Sequence, residues 1–163
     1  MNQKKTRLIA YSAMIAAIYV ILTWLFAPIG FGEVQIRISE ALTILPAFTP
    51  AAVPGLFIGC LIGNLLGGAI LPDIIFGSLA TLIGALFVYL LRKSSPFLLP
   101  LAPILSNTLI VPFVLYYGYG VNLPIPLLML SIAAGEFVSC GILGVILYRA
   151  LSKYRNTLFR TDN

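Results

Sequence analysis

The sequence predicts an all-α, polytopic membrane protein: a six-transmembrane-helix bundle with N- and C-termini cytoplasmic. Three observations carry that reading. Of 163 residues, 60% are hydrophobic and only 9% are charged, whereas a soluble domain carries about 25% charged residues. The apolar residues fall into six runs broken by proline, glycine or charge. The basic residues collect at alternate ends of those runs, as the positive-inside bias of membrane helices requires.

A span needs about 20 apolar residues. Residues 1–7 form a basic cytoplasmic N-terminus. The run at 8–27 is long and lacks a small-residue cleavage site, so it reads as a retained first helix rather than a signal peptide. The second run, 38–48, is short, starts inside a polar stretch and is bounded by Pro46 and Pro50. The others follow at 51–70, 74–91, 98–117 and 126–151, and 152–163 is a cytoplasmic tail. Together 1–163 form a single membrane domain, with the bundle at 8–151.

Charge decides whether the short run crosses. With six crossings, Lys4, Lys5, Arg7, Arg92, Lys93, Arg149, Lys153, Arg155 and Arg160 all lie inside, and only Arg37 lies outside. Without the second crossing, Arg92, Lys93 and the basic tail become external, against the bias. The net charge of +5 sits at loop ends rather than in a patch, so no nucleic-acid partner is expected. Cys60 and Cys140 fall within apolar runs, as packing residues rather than halves of a disulfide.

This topology sorts the acids. Glu33, Glu40 and Asp73 lie at or near external helix ends, and Glu136 lies well inside the sixth run. A charge at mid-bilayer costs about 2.5–3.5 kcal/mol even on lenient scales, so the polar stretch from Glu33 to Glu40 must face water, a partner or a ligand. The distribution points to a negative external pocket, with Glu33 alternatively pairing with Arg37 to hold the loop. Asn64 and Asn107 either tie helices together or line a site, because an amide in hydrocarbon needs partners for both its edges. Phe31, Trp24, Phe26, Tyr116, Tyr117 and Tyr119 gather at external ends, mostly as interfacial anchors.

Small residues mark close packing. Ala51, Gly55, Gly59, Gly63 and Gly67 repeat every four positions and form one stripe, which allows a neighbouring backbone to approach. Ala10, Ala13 and Ala17 share one face of the first helix. Chemistry is also excluded: with no histidine there is no Ser-His-Asp triad and no His-ligated metal site. A phosphate loop of the GxxxxGK[ST] kind is absent. No metal, cofactor or enzymatic activity is expected, which leaves a solute-binding or transporting subunit, or alternatively a self-contained small-solute facilitator or channel.

The stretch Gly32-Glu-Val-Gln-Ile-Arg-Ile-Ser-Glu-Ala-Leu-Thr-Ile-Leu-Pro46 resembles the signature of the QueT family of queuosine-precursor transporters. Gly63-Asn-Leu, Pro72-Asp73 and Pro103-Ile-Leu-Ser-Asn-Thr-Leu-Ile-Val-Pro112 add to the resemblance, which covers roughly residues 8 to 150. It implies a substrate-binding S-component of an energy-coupling factor transporter in the bacterial plasma membrane. The implied partners are membrane lipid, a transmembrane coupling protein and two ATPase subunits, docked through Ala13 and Ala17. The implied ligand is a 7-deazaguanine (preQ1, preQ0 or queuine). A carboxylate accepts the adjacent N1–H and amine donors of such a ring. Glu40 and Glu136 are the candidate acceptors, Asn64, Asn107 and Arg37 serve carbonyl recognition or pocket wiring, and Asp73 and Glu33 complete the candidate set.

Overall fold

The computed structural model describes residues 3–30 and 36–159, and every regular element among them is helical. Helix α1 is Gln3–Leu25, followed by a single turn, α2, at Ala27–Gly30. A 3-10 helix then covers Ile38–Ala47. After it come α3 (Ala52–Leu66), α4 (Leu71–Leu90), α5 (Leu101–Gly118), α6 (Ile125–Ser152) and a short α7 (Arg155–Leu158). Helices α1, α4, α5 and α6 are long and apolar enough to cross a bilayer, whereas the 3-10 helix and α3 are shorter apolar elements. Pro72 sits in the first turn of α4, where its missing N–H costs nothing. The chain leaves α3 through Gly68 at φ +78°, a backbone conformation that suits glycine.

The short second run is a buried rod rather than a peripheral helix. Its 10 residues rise about 2.0 Å each in a 3-10 helix, roughly 20 Å in all, against about 15 Å as an α-helix. Every residue from Ser39 to Thr49 is buried. The rod touches α1, α3, α4 and α6, while α1 packs on α3, α3 on α4, α4 on α5 and α5 on α6. Leu42 and Leu45 join Ile15, Tyr19, Leu56 and Ala85 in one apolar core. Ile44, Ala47 and Phe48 join Val88 and Leu99 in a second.

The glycine stripe of α3 is spent inside the molecule, against α1. A Cβ at Gly59 would lie 2.8 Å from Tyr19 Cβ and 3.1 Å from Ala16 Cα, and one at Gly55 would lie 2.7 Å from the Ser12 carbonyl oxygen. Small residues thus let these two helices meet backbone to backbone. The polarity of the bundle is inverted relative to a soluble protein. Large apolar side chains such as Ile21, Trp24, Leu66, Leu90 and Leu130 point outward, whereas Glu40, Asn64, Asp73, Thr81 and Ser139 are buried. That arrangement suits hydrocarbon surroundings, where polar groups must find partners internally.

Two helices change pitch. The end of α5, Val114–Gly118, and the middle of α6, Phe137–Leu143, wind as π-helix. The second begins directly after Glu136 and carries Ser139 and Cys140 into the interior. Such widenings are frequent at functional sites.

Candidate functional site

Two buried polar clusters lie along the 3-10 rod. The central one is built on Glu40, 0% exposed. The Tyr19 hydroxyl of α1 donates to Glu40 Oε1, and Thr81 Oγ1 of α4 lies 3.1 Å from the same oxygen. Glu40 Oε2 has no hydrogen-bond partner among the described residues. From the other side, Asn107 Nδ2 of α5 donates to Glu136 Oε1 at 3.0 Å, and the Cys140 thiol is 3.0 Å from Glu136 Oε2. Cys140 Sγ also lies 3.4 Å from both the Glu40 carbonyl oxygen and Thr43 Oγ1. One ligating atom each from Glu40, Glu136 and Cys140 falls within 4.8 Å of the others. Five elements thus converge two carboxyl groups, an amide, hydroxyls and a thiol on one point.

The second cluster sits at the end of the bundle, next to the 36–37 approach to the rod. Arg37 Nη2 is 3.5 Å from Asp73 Oδ2, and Arg37 Nη1 donates to Asn64 Oδ1 at 3.4 Å. Asn64 Nδ2 donates to the Asp73 carbonyl at 3.3 Å, and the Tyr119 hydroxyl donates to Asp73 Oδ2 at 3.0 Å. Asp73 lies in the first turn of α4, where the helix N-terminus favours an anion. Burial and the neighbouring Asp73 carboxylate hold the Tyr119 phenol above its ordinary value, which keeps it a donor. Gly77 keeps the floor of this cluster open, since a Cβ there would lie 2.9 Å from Asp73 Oδ1.

The expected residues therefore divide into two groups. Glu40, Glu136 and Asn107 meet in the central cluster, and Arg37, Asp73 and Asn64 meet in the end cluster. Glu33, expected either at the pocket or as the loop partner of Arg37, lies outside the described residues; among the described residues Arg37 pairs with Asp73. Tyr119, one of the aromatics expected at external ends, is partly exposed and turns its hydroxyl to Asp73. Ala13 and Ala17 are both exposed on α1. Ala13 lines an outward groove of about 470 Å³ with Leu8, Ala16, Pro54 and Ile58.

Tyr19, Thr81, Thr43 and Cys140 were not foreseen. A signal for two of them exists in the sequence. Ile15, Tyr19 and Thr23 repeat every four residues on α1, as do Asp73, Gly77, Thr81 and Ala85 on α4, so polar side chains share the inward face. Thr43 depends on 3-10 geometry, which residue spacing does not announce, whereas Cys140 follows Glu136 by four positions and reads as a packing residue. Space at the site is small: the cavity beside Arg37, lined by Thr23, Gly30 and Ser39, is about 10 Å³. A larger groove of about 410 Å³ between α4 and α5 is apolar and faces outward.

An apolar-surfaced bundle with four helices long and apolar enough to cross a bilayer defines a membrane protein. The comparison with known families names it further: the chain belongs to the QueT transporter family, whose model matches residues 9–153. No curated protein and no solved structure matches the chain. Transport is thus the activity its family defines.

Proposed function

We propose that this chain is the substrate-binding S-component of an energy-coupling factor transporter. In this reading it crosses the cell membrane six times with both termini cytoplasmic, and the 3-10 rod and α3 supply the two short crossings. It captures a 7-deazaguanine queuosine precursor (preQ1, preQ0 or queuine) from outside, for import driven by ATPase partner subunits. The observation that carries the reading is the convergence of Glu40, Glu136 and Asn107 on one buried point. Two carboxylates and an amide match the adjacent donors and the carbonyl of a guanine-like ring. A cationic aminomethyl group would engage the second acid.

The cluster is closed around itself, so a ligand must part these groups and exchange their hydrogen bonds for its own. Such exchange keeps each buried polar group satisfied, which limits the desolvation cost. The segment between Pro28 and Arg37 is the proposed cover. Ala13 and Ala17, exposed on α1, are the proposed docking face for the coupling protein.

Binding of a deazapurine panel to the purified protein, followed by thermal shift and calorimetry, tests this directly. Glu40→Gln is expected to weaken binding at least tenfold, about 1.4 kcal/mol; unchanged affinity removes Glu40 from the site. Ala13→Leu with Ala17→Leu is expected to abolish uptake while ligand binding persists. Uptake by the chain without an ATPase partner would instead make it a self-contained facilitator.

A further inference from the structure

Helix α1 has two different faces. One turns outward with Ala13, Ala17 and, near its end, Trp24, which is 66% exposed and the single tryptophan of the chain. The other holds the rod through two successive polar bonds. The Tyr19 hydroxyl donates to Glu40 Oε1, and one turn further on Thr23 Oγ1 donates to Ser39 Oγ at 2.9 Å. Tyr19 is 1% exposed and its ring belongs to the apolar core with Ile15, Leu42 and Leu56. Gly59 fits against its Cβ, so the ring is clamped and the hydroxyl position is set by α1 as a rigid body.

The two oxygens of Glu40 are treated differently. Oε1 receives Tyr19 from α1 and Thr81 from α4, whereas Oε2 has no hydrogen-bond partner among the described residues. A buried carboxylate held by two hydroxyls at one oxygen has its plane fixed, and its second oxygen is presented as an acceptor. An unmade hydrogen bond at a buried acceptor costs about 1–3 kcal/mol, so that oxygen favours any incoming donor.

We propose that Tyr19 is a positioning residue: it orients Glu40 so that Oε2 receives the ligand, and it makes α1 respond to occupancy of the site. The ligand's identity in this inference rests on the deazapurine reading above. Because the same helix carries Ala13 and Ala17 outward, a change at Glu40 reaches the exposed face through one hydrogen bond and a clamped ring. Thr81 shares the orienting role and does not share the link to α1.

The test uses the full chain in lipid nanodiscs with preQ1 as probe and follows Kd by calorimetry and Trp24 emission by fluorescence. Wild-type protein is expected to bind and to shift its Trp24 emission on saturation. Tyr19→Phe keeps the ring and removes the hydroxyl; it is expected to raise Kd about tenfold, to leave the Tm of the ligand-free protein nearly unchanged, and to lose the emission shift at saturation. Thr81→Val is expected to raise Kd by a similar factor but to retain the shift, and it decides the orienting role should Tyr19→Phe fail to fold. Equal or tighter binding by Tyr19→Phe, or a full emission shift in that variant, overturns the inference alone. Failure of wild-type protein to bind any deazapurine overturns both the functional reading and this one.

Discussion

The end cluster around Arg37 and the central cluster around Glu40 draw on similar side chains, yet they balance charge differently. At the end, a guanidinium faces Asp73 at 3.5 Å, with Asn64 and Tyr119 filling further hydrogen-bonding positions. At the centre, the hydrogen bonds described for Glu40 and Glu136 come from neutral groups, namely Tyr19, Thr81, Asn107 and Cys140. A paired buried charge is expensive to unpair. An acid supported only by neutral donors is kept ready for a partner of its own. In the proposed reading, the first arrangement fastens chain segments and the second receives the solute.

Three measurements press on that difference. Arg37→Met removes the guanidinium that pairs with the buried Asp73, and it is expected to destabilise the fold by about 3–5 kcal/mol, read as a lowered denaturation midpoint in detergent. Combining it with Asp73→Leu is expected to recover most of that loss; failure to recover would mean that Arg37 serves more than this pair. Tyr119→Phe removes one hydrogen bond to Asp73 and is expected to cost about 1 kcal/mol in the same assay, with preQ1 affinity unchanged. The smallest stability effect belongs to Glu136→Gln. It is expected to leave the midpoint where it is or raise it slightly, while weakening preQ1 binding. If Glu136→Gln instead unfolds the protein as readily as Arg37→Met does, the two clusters are alike and the contrast fails.

Much of this architecture is legible in the sequence. Hydropathy located the apolar runs, with the ends of α4, α5 and α6 falling within a few residues of the expected spans, because long apolar stretches flanked by charge or proline have sharp limits. The cost of burying charge singled out Glu40, Glu136, Asn64 and Asn107, and all four are buried. What spacing did not reveal was their division into two groups. That depends on Arg37 reaching across to Asp73 and Asn64, a contact between residues 27 to 36 positions apart. Tyr19 escaped because an aromatic on an alanine-rich helix reads as ordinary packing, and only its hydroxyl gives it away. Cys140 escaped for a different reason: its i+4 spacing from Glu136 already puts the two on one helix face, but a cysteine in an apolar run reads as a small packing residue.

The 3-10 winding of Ile38–Ala47 has an evolutionary corollary. Side chains in such a helix line up every third residue, so Glu40, Thr43 and Pro46 form a single file along the rod. Substituting a neighbour within this stretch disturbs one contact. Inserting or deleting one residue turns everything beyond it by about 120° and breaks the file, separating Glu40 from the hydroxyls of α1 and α4 or Thr43 from Cys140. Descendants of this gene should therefore vary in letter along these ten positions far more freely than they vary in number.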